Sequence, residues 1–398
     1  MSYLNGKSFN PAMNRRSLIA GVAGLGSAAI LAGCTNDGDA KAAGSGAAGA
    51  AGTFKLGAVG PLTGANASYG VSVCNGTELG AKDFSDDTFK FEVNKQDDVA
   101  DGEKAVNAFN TLLDWGMQAL VGPTTTGAAV TVAPEANDVP VFMITPSASS
   151  TKVTEGFDCV FQACFTDPNQ GSNAAKFVAE KLADKKIAIL YRDDDDYSTG
   201  IRNGFKEQAE ASKLQIVDEK TFQEGSQSSF KDQLTSFQAA GADLVFAPIY
   251  YTPASALLAN AKDMGYTFTL MGCDGMDGLL GVENFDTALA EGVYLMTPFS
   301  ADDEKNADFV KAYQDAYGET PDQFAADAYD CVHAIHEALV SADADPTAAA
   351  EDLAPVLAEA IQKISIEGLT GKLSWNDKGQ VEKEPTAYVI KDGKYVQA

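Results

Sequence analysis

The sequence predicts an α/β fold of two Rossmann-like lobes, each a parallel sheet with helices on both faces. Three observations predict it. Short apolar runs of strand length alternate with longer stretches of helical periodicity through most of the chain, the pattern of successive βα units. The opening of that pattern recurs: a run at 54–59 leads through a loop to Tyr69 and then Gly76, and a run at 186–190 leads through a loop to Tyr197 and then Gly204, with the same spacing from Tyr to Gly. The chain has 398 residues, enough for two or three domains of ordinary size.

The first segment reads as an address. Arg15-Arg16 precede an uncharged run over 17–33, rich in Ala, Gly, Leu and Ile, which falls short of the about 20 residues a membrane-spanning helix needs. Basic residues, an apolar core and then small residues make a secretory signal. The run closes in Leu31-Ala32-Gly33-Cys34, which resembles the bacterial lipobox. That resemblance implies that 1–34 is a lipoprotein signal and that Cys34 is acylated and becomes the new N-terminus. Arg15-Arg16-Ser17-Leu18-Ile19 also resembles a twin-arginine export motif. Residues 35–52 are mostly Ala and Gly, cannot bury a core, and read as a flexible tether. One acyl chain anchors only marginally, so stable attachment calls for more than one.

The body follows in order. Apolar runs at 54–59, 89–94, 118–121 and 141–145 are strands, and 71–84, 102–115 and 127–137 are the helices between and beside them. The second of these helices carries Ala105, Val106, Phe109 and Leu112-Leu113 on one face. Strands at 186–191, 214–217, 244–248 and 268–271 alternate with helices at 198–211, 230–239 and 253–264. The tail changes character: helices at 309–317, 324–340 and 355–364 precede a strand at 371–375, the turn Asn376-Asp377-Lys378-Gly379 and a strand at 386–390, which together read as a closing β-unit. The repeat and the late return of helices divide the body into one lobe of 53–165 with 299–372 and a second of 166–298 with 373–398, joined by a three-crossing hinge.

Charge excludes one class of partner. Lys and Arg number 29 against 56 Asp and Glu, a net charge of −27, so nucleic acid is ruled out by repulsion of its phosphates. The two histidines, His333 and His336, lie three apart on a helix and read as a half-exposed face rather than a metal pair. The four aspartates at 193–196 read as an exposed acidic turn rather than a cation site. Of six cysteines, Cys74, Cys159, Cys164, Cys273 and Cys331 remain once Cys34 is set aside. Cys159 and Cys164 fall on opposite faces of one expected strand, which disfavours a bond between them. No metal and no cofactor is expected.

Ligands of open α/β sheets sit beyond the carboxyl ends of strands. Three such ends are chemically pointed. Gly122-Pro123-Thr124-Thr125-Thr126-Gly127 brings hydroxyls to a helix start, whose free N–H groups suit an anion, although Thr126 also serves as a plain cap. Thr145-Pro146-Ser147-Ala148-Ser149-Ser150 follows the next strand. Met271-Gly272-Cys273-Asp274-Gly275 sets a carboxylate between glycines past a third, placed either to meet a cation or to hold its own turn.

Together with Pro61-Leu62-Thr63-Gly64, Tyr69-Gly70, Asp167, Gln170-Gly171, Tyr197, Tyr250-Tyr251 and the Trp375-Asn376-Asp377-Lys378-Gly379 turn, these motifs make the body resemble the type I periplasmic binding proteins, in their leucine/isoleucine/valine-binding branch. The resemblance implies that Thr126 and Ser149 hold an α-carboxylate and help with the α-ammonium. It implies backbone contacts at Thr124 and Ala148, an ammonium pair at Asp274, and aromatic walls from Tyr69, Tyr197 and Tyr250. The family's amino-acid binders usually carry glutamate where this chain has Asp274, one methylene shorter. The implied function is an exported, lipid-anchored solute receptor of an ABC importer, on the outer face of the cytoplasmic membrane or in the periplasm. It would capture a branched-chain or similar aliphatic amino acid by hinge closure and pass it to a permease, working as a monomer without chemistry. The alternative on the same fold is a ligand-sensing module or a receptor for amides or urea. A hydrolase is disfavoured, because no Gly-x-Ser-x-Gly elbow and no histidine occurs in these loops.

Overall fold

The structure is a computed structural model and describes residues 52–398. The signal, Cys34 and all of the tether but Gly52 lie outside the described residues. Gly52 itself opens the first strand.

The first sheet is built from β1 (Gly52–Gly60), β2 (Phe89–Asp97), β3 (Ala119–Val121), β4 (Phe142–Thr145) and β5 (Val160–Gln162), with α1 (Ala67–Asp83), α2 (Gly102–Trp115) and α3 (Thr126–Asp138) between them. Its strands are all parallel, in the order β2-β1-β3-β4-β5. Residues of β3 and β4 are buried throughout, as a parallel sheet covered on both faces requires.

The chain then enters α4 (Asp167–Lys181) and a second series: β6 (Lys186–Arg192), α5 (Asp196–Ala211), β7 (Gln215–Phe222), α6 (Lys231–Ala240), β8 (Leu244–Phe246), α7 (Tyr251–Met264), β9 (Thr269–Met271) and β10 (Tyr294–Thr297). It returns through α8 (Ala307–Tyr317), α9 (Gln323–Ser341) and α10 (Ala350–Ile361), of which α9 and α10 pack on strands of the first sheet. After the hairpin of β11 (Ile366–Gly368) and β12 (Gly371–Leu373), the chain rejoins the second sheet as β13 (Thr386–Lys391) and β14 (Lys394–Gln397). That sheet runs β14-β13-β10-β9-β8-β6-β7, and its last two strands are antiparallel additions at one edge.

The recurring Tyr-to-Gly spacing has a packing cause. Tyr69 and Tyr197 each sit in the first turn of a helix. Gly76 of α1 lies against the backbone of Ala325 on α9, and a Cβ on Gly204 of α5 would meet the Pro168 carbonyl oxygen of α4 at 2.7 Å. The same device brings a helix pair into close contact in each half.

Four expectations are corrected. The strands near 371–375 and 386–390 do not pair with each other, because β12 finds β11 across a tight turn and β13 finds the open edge of β10. Helix α10 begins at Ala350, so Pro355 sits inside it rather than at its start. Cys159 and Cys164 flank β5 instead of sharing it, and all five cysteines of the described residues are buried and free. Of the acidic turn, Asp195 is buried, and Asp196 pairs with Lys152 at 2.8 Å.

Candidate functional site

Loops at the carboxyl ends of β3, β4, β8 and β9, with the first turns of α1 and α5, converge on one small cavity of about 20 Å³, room for little more than one water molecule. One wall is polar. Thr124, Thr125 and Thr126 lead into α3, and Ser147 faces them from the loop after β4. Thr125 is the N-cap of α3 in extended conformation, and its side chain makes no capping bond. The first-turn N–H groups of α3 have no partners within the helix, and its dipole favours an anion there.

The loop after β4 is wound by its own hydroxyls. Thr145 Oγ1 donates to the Pro123 carbonyl at 2.7 Å and accepts from the Ala148 N–H at 3.0 Å. Gln162 donates to the carbonyls of Ala148 and Ser150. Ala148 is therefore pinned inward and Ser147 turned to the cavity. The Ser147 hydroxyl donates to the Thr124 carbonyl at 2.7 Å, so its proton is spent and its oxygen remains as an acceptor.

Asp274 forms the opposite wall. It follows β9 in a short 3-10 turn and is 4% exposed. Its Oδ1 accepts from Tyr197 Oη at 2.8 Å and from the Gly275 N–H at 2.9 Å. Its backbone N–H donates to Gln170 Oε1 and its carbonyl accepts from Gln323 Nε2, both at 2.7 Å. Burial pushes its carboxyl up to about 6, against the pull of the Tyr197, Gln170 and Gly275 hydrogen bonds. Asp167, behind it on α4, is also driven well above the usual carboxylate range by burial, although Ser149 Oγ donates to it at 2.6 Å.

Aromatic rings close the remaining sides. Tyr197 stacks on Tyr250 at 5.0 Å between centroids, Tyr69 meets Tyr250 edge-on at 5.6 Å, and Phe324 leans on Tyr69 at 4.4 Å. The Tyr69 hydroxyl reaches across to the Gly275 carbonyl. A side chain at 275 would place its Cβ 2.6 Å from Tyr197 Oη and 2.9 Å from the Tyr250 ring, so glycine alone fits.

Of the residues singled out in the sequence, Tyr69, Thr124, Thr126, Tyr197, Tyr250 and Asp274 line this cavity. Ala148 and Ser149 are fully buried behind it, where Ser149 joins Asp167 and its N–H donates to Thr126 Oγ1 at 3.3 Å. Sequence reasoning passed over Thr125, Ser147, Gly275 and Phe324. The first three stand inside motifs already quoted, one residue from positions that were chosen. Phe324, at the start of α9, carried no local signal. His333 stacks on Phe84 at 4.7 Å, and no cluster of three or more His, Cys, Asp or Glu among the described residues is placed to hold a metal. None of the described helices is long and apolar enough to cross a membrane.

The model of the periplasmic binding protein family matches residues 53–394. The chain belongs to that family. The leucine-, isoleucine-, valine-, threonine-, and alanine-binding protein of Pseudomonas aeruginosa is 27% identical to it over 340 residues, covering 84% of this chain and 88% of that protein. The branched-chain amino acid transporter substrate-binding protein LivJ of Streptococcus pneumoniae, solved with isoleucine, is 29% identical with a TM-score of 0.77, covering 86% of this chain and 97% of that one. An ABC transporter substrate-binding protein of Desulfitobacterium hafniense, solved with Leu, is 25% identical with a TM-score of 0.71 over 87% of this chain and 100% of that one. A benzoate-bound solute-binding protein of Rhodopseudomonas palustris shares the fold at 20% identity, with a TM-score of 0.78 over 87% and 95% of the two chains.

Proposed function

We propose that this protein is the extracytoplasmic solute receptor of an ABC importer and captures an α-amino acid with an aliphatic side chain. The observation that carries this reading is the polarity of the cavity. The N-terminus of α3 and its threonines stand on one side, and the Asp274 carboxylate with its tyrosines stands on the other. A zwitterion leaving water needs both charges matched, and these two walls supply a partner for each. Ser147, an acceptor beside them, suits the ammonium. Tyr69, Tyr250 and Phe324 offer apolar faces to the side chain.

An amino acid is larger than the cavity, so entry requires the walls to part and release to reopen them. The two walls hang from different sheets, and a ligand that bridges them favours closure by its own contacts. In this reading the moving bodies are 53–165 with 299–372 and 166–298 with 373–398. The chain does no chemistry, acts as a monomer, delivers its cargo to a membrane permease, and is held to the membrane through acylated Cys34.

A second reading is a receptor for an amide or urea, or a sensing module on the same fold. The hydrogen bonds that Asp274 already receives from Tyr197 and the Gly275 N–H favour it, because a carboxylate with partners of its own does not require a cation from the ligand. A thermal-shift screen of residues 52–398 against the twenty amino acids, simple amides and urea decides between them. A rise in midpoint with aliphatic amino acids supports the first reading. A rise with amides or urea alone overturns it.

A further inference from the structure

We propose that Thr125 is a ligand-binding residue whose hydroxyl donates a hydrogen bond to the carboxylate of the bound amino acid. The inference rests on the amino-acid reading above and adds to it a residue other than Thr126 and Ser149, to which the family resemblance assigns the carboxylate. Thr125 occupies the N-cap of a 13-residue helix, with φ −91° and ψ 147°, the conformation in which a threonine ordinarily turns its oxygen back onto the first turn. It makes no such bond. Its Oγ1 is buried without any hydrogen-bond partner, the residue is 5% exposed, and it lines the cavity.

Its neighbours are committed. Thr126 Oγ1 accepts from the Ser149 N–H, and Thr124 Oγ1 lies 3.4 Å from the Val59 carbonyl. Among the three successive hydroxyls, that of Thr125 alone has both its proton and its lone pairs unspent. Native proteins rarely leave a buried hydroxyl unpaired, and those that do so at a cavity wall keep it for what enters the cavity. The sign of the partner follows from the surroundings. Thr125 stands at the positive end of α3, where an anion is stabilised, and Asp274 across the cavity is the acceptor that a cation would choose. The ligand's carboxylate therefore meets Thr125, and the bond is a charge-assisted one.

The test uses residues 52–398 carrying Thr125→Val, Thr125→Ser or Thr125→Ala, titrated calorimetrically with L-leucine, L-valine and L-alanine, together with thermal unfolding of each variant without ligand. Thr125→Val keeps the shape and removes the hydroxyl. It should weaken amino-acid binding roughly 10- to 100-fold, the range of a charge-assisted hydrogen bond, while its ligand-free midpoint stays at or above that of wild type, since no cap is lost. Thr125→Ser should bind within about threefold of wild type. Affinity of Thr125→Val within threefold of wild type overturns the proposal alone. So does a lowered ligand-free midpoint with unchanged affinity, which marks a helix cap. Failure of wild type to bind any of the three amino acids overturns the amino-acid reading and this proposal with it.

Discussion

Asp274 concentrates the chemistry of the site in one side chain. It is buried and accepts from Tyr197 and Gly275 through one oxygen, and in the proposed function the other receives the ligand's ammonium. Removing one partner of a buried, hydrogen-bonded charge pair costs ~2–5 kcal/mol of binding, or roughly 30- to 3,000-fold. Asp274→Ala should lose that much affinity for its amino acid by calorimetry, and Asp274→Asn should fall between it and wild type. Affinity within about threefold for the alanine variant would sink the assignment. Its place at the cavity was legible in the sequence, because ligands of such sheets sit past the carboxyl ends of strands, while the choice between meeting a cation and holding its own turn was open there. Ser147 was not, since its exposure to the cavity instead of Ala148 depends on the Thr145 hydroxyl winding the loop by one residue, a choice made by two hydrogen bonds that no pattern announces. Phe324 was less legible still. It reaches the site because Asp322 caps α9 there and α9 packs on α1, a tertiary fact with no local trace.

At the scale of elements, the strand–helix alternation was readable wherever a helix kept its apolar face and a strand its full burial, as in α2 and β3. It failed where pairing is decided from a distance. The short β10, β11 and β14 owe their existence to neighbours: β10 to β9 and β13, β11 to β12, β14 to β13. The glycine of each Tyr-to-Gly repeat shows the opposite case, a local letter with a long-range meaning. Gly204 lets α5 approach α4, which carries Asp167 and Gln170 to the site. Gly204→Ala would push a methyl group to 2.7 Å from the Pro168 carbonyl oxygen. Overpacking of this kind costs ~1–3 kcal/mol. Urea unfolding should show a midpoint lowered accordingly with an unchanged slope, and an unchanged midpoint would mean that the two helices slide apart freely.

The whole molecule carries its acidity into its interior. Burial pushes Asp98, Asp195 and Asp274 up to about 6 and Asp327 up to about 7, while Asp322, beside Asp277, rises to about 8. A carboxyl raised in the folded state holds its proton where the unfolded chain has already lost it. The stability it lends is complete below the unfolded value and drains away as pH climbs through the folded one. His333, lowered by burial, works the other way but is a single group. The ligand-free protein should therefore melt at a higher temperature at pH 5.5 than at pH 8, the reverse of ordinary acid sensitivity. Amino-acid affinity should move in the opposite sense, weakening about tenfold per pH unit below about 6 as Asp274 takes up its proton. Melting curves and titrations across that range check both, and parallel trends would contradict the assignment of Asp274 as the ammonium partner.

The five cysteines of the described residues bear on the export route in the proposed function. Burial pushes the Cys74 thiol up to about 12 and holds Cys164, Cys273 and Cys331 well above the usual thiol range, so their sulfurs stay protonated and poorly nucleophilic. No covalent closure in residues 52–398 waits for an oxidant. A body of this kind matures equally well in the reducing cytosol, before a twin-arginine passage, or outside after a threaded one. Its unfolding midpoint should be the same with and without reductant, and the electrochemical step between the two compartments would leave no mark on the fold.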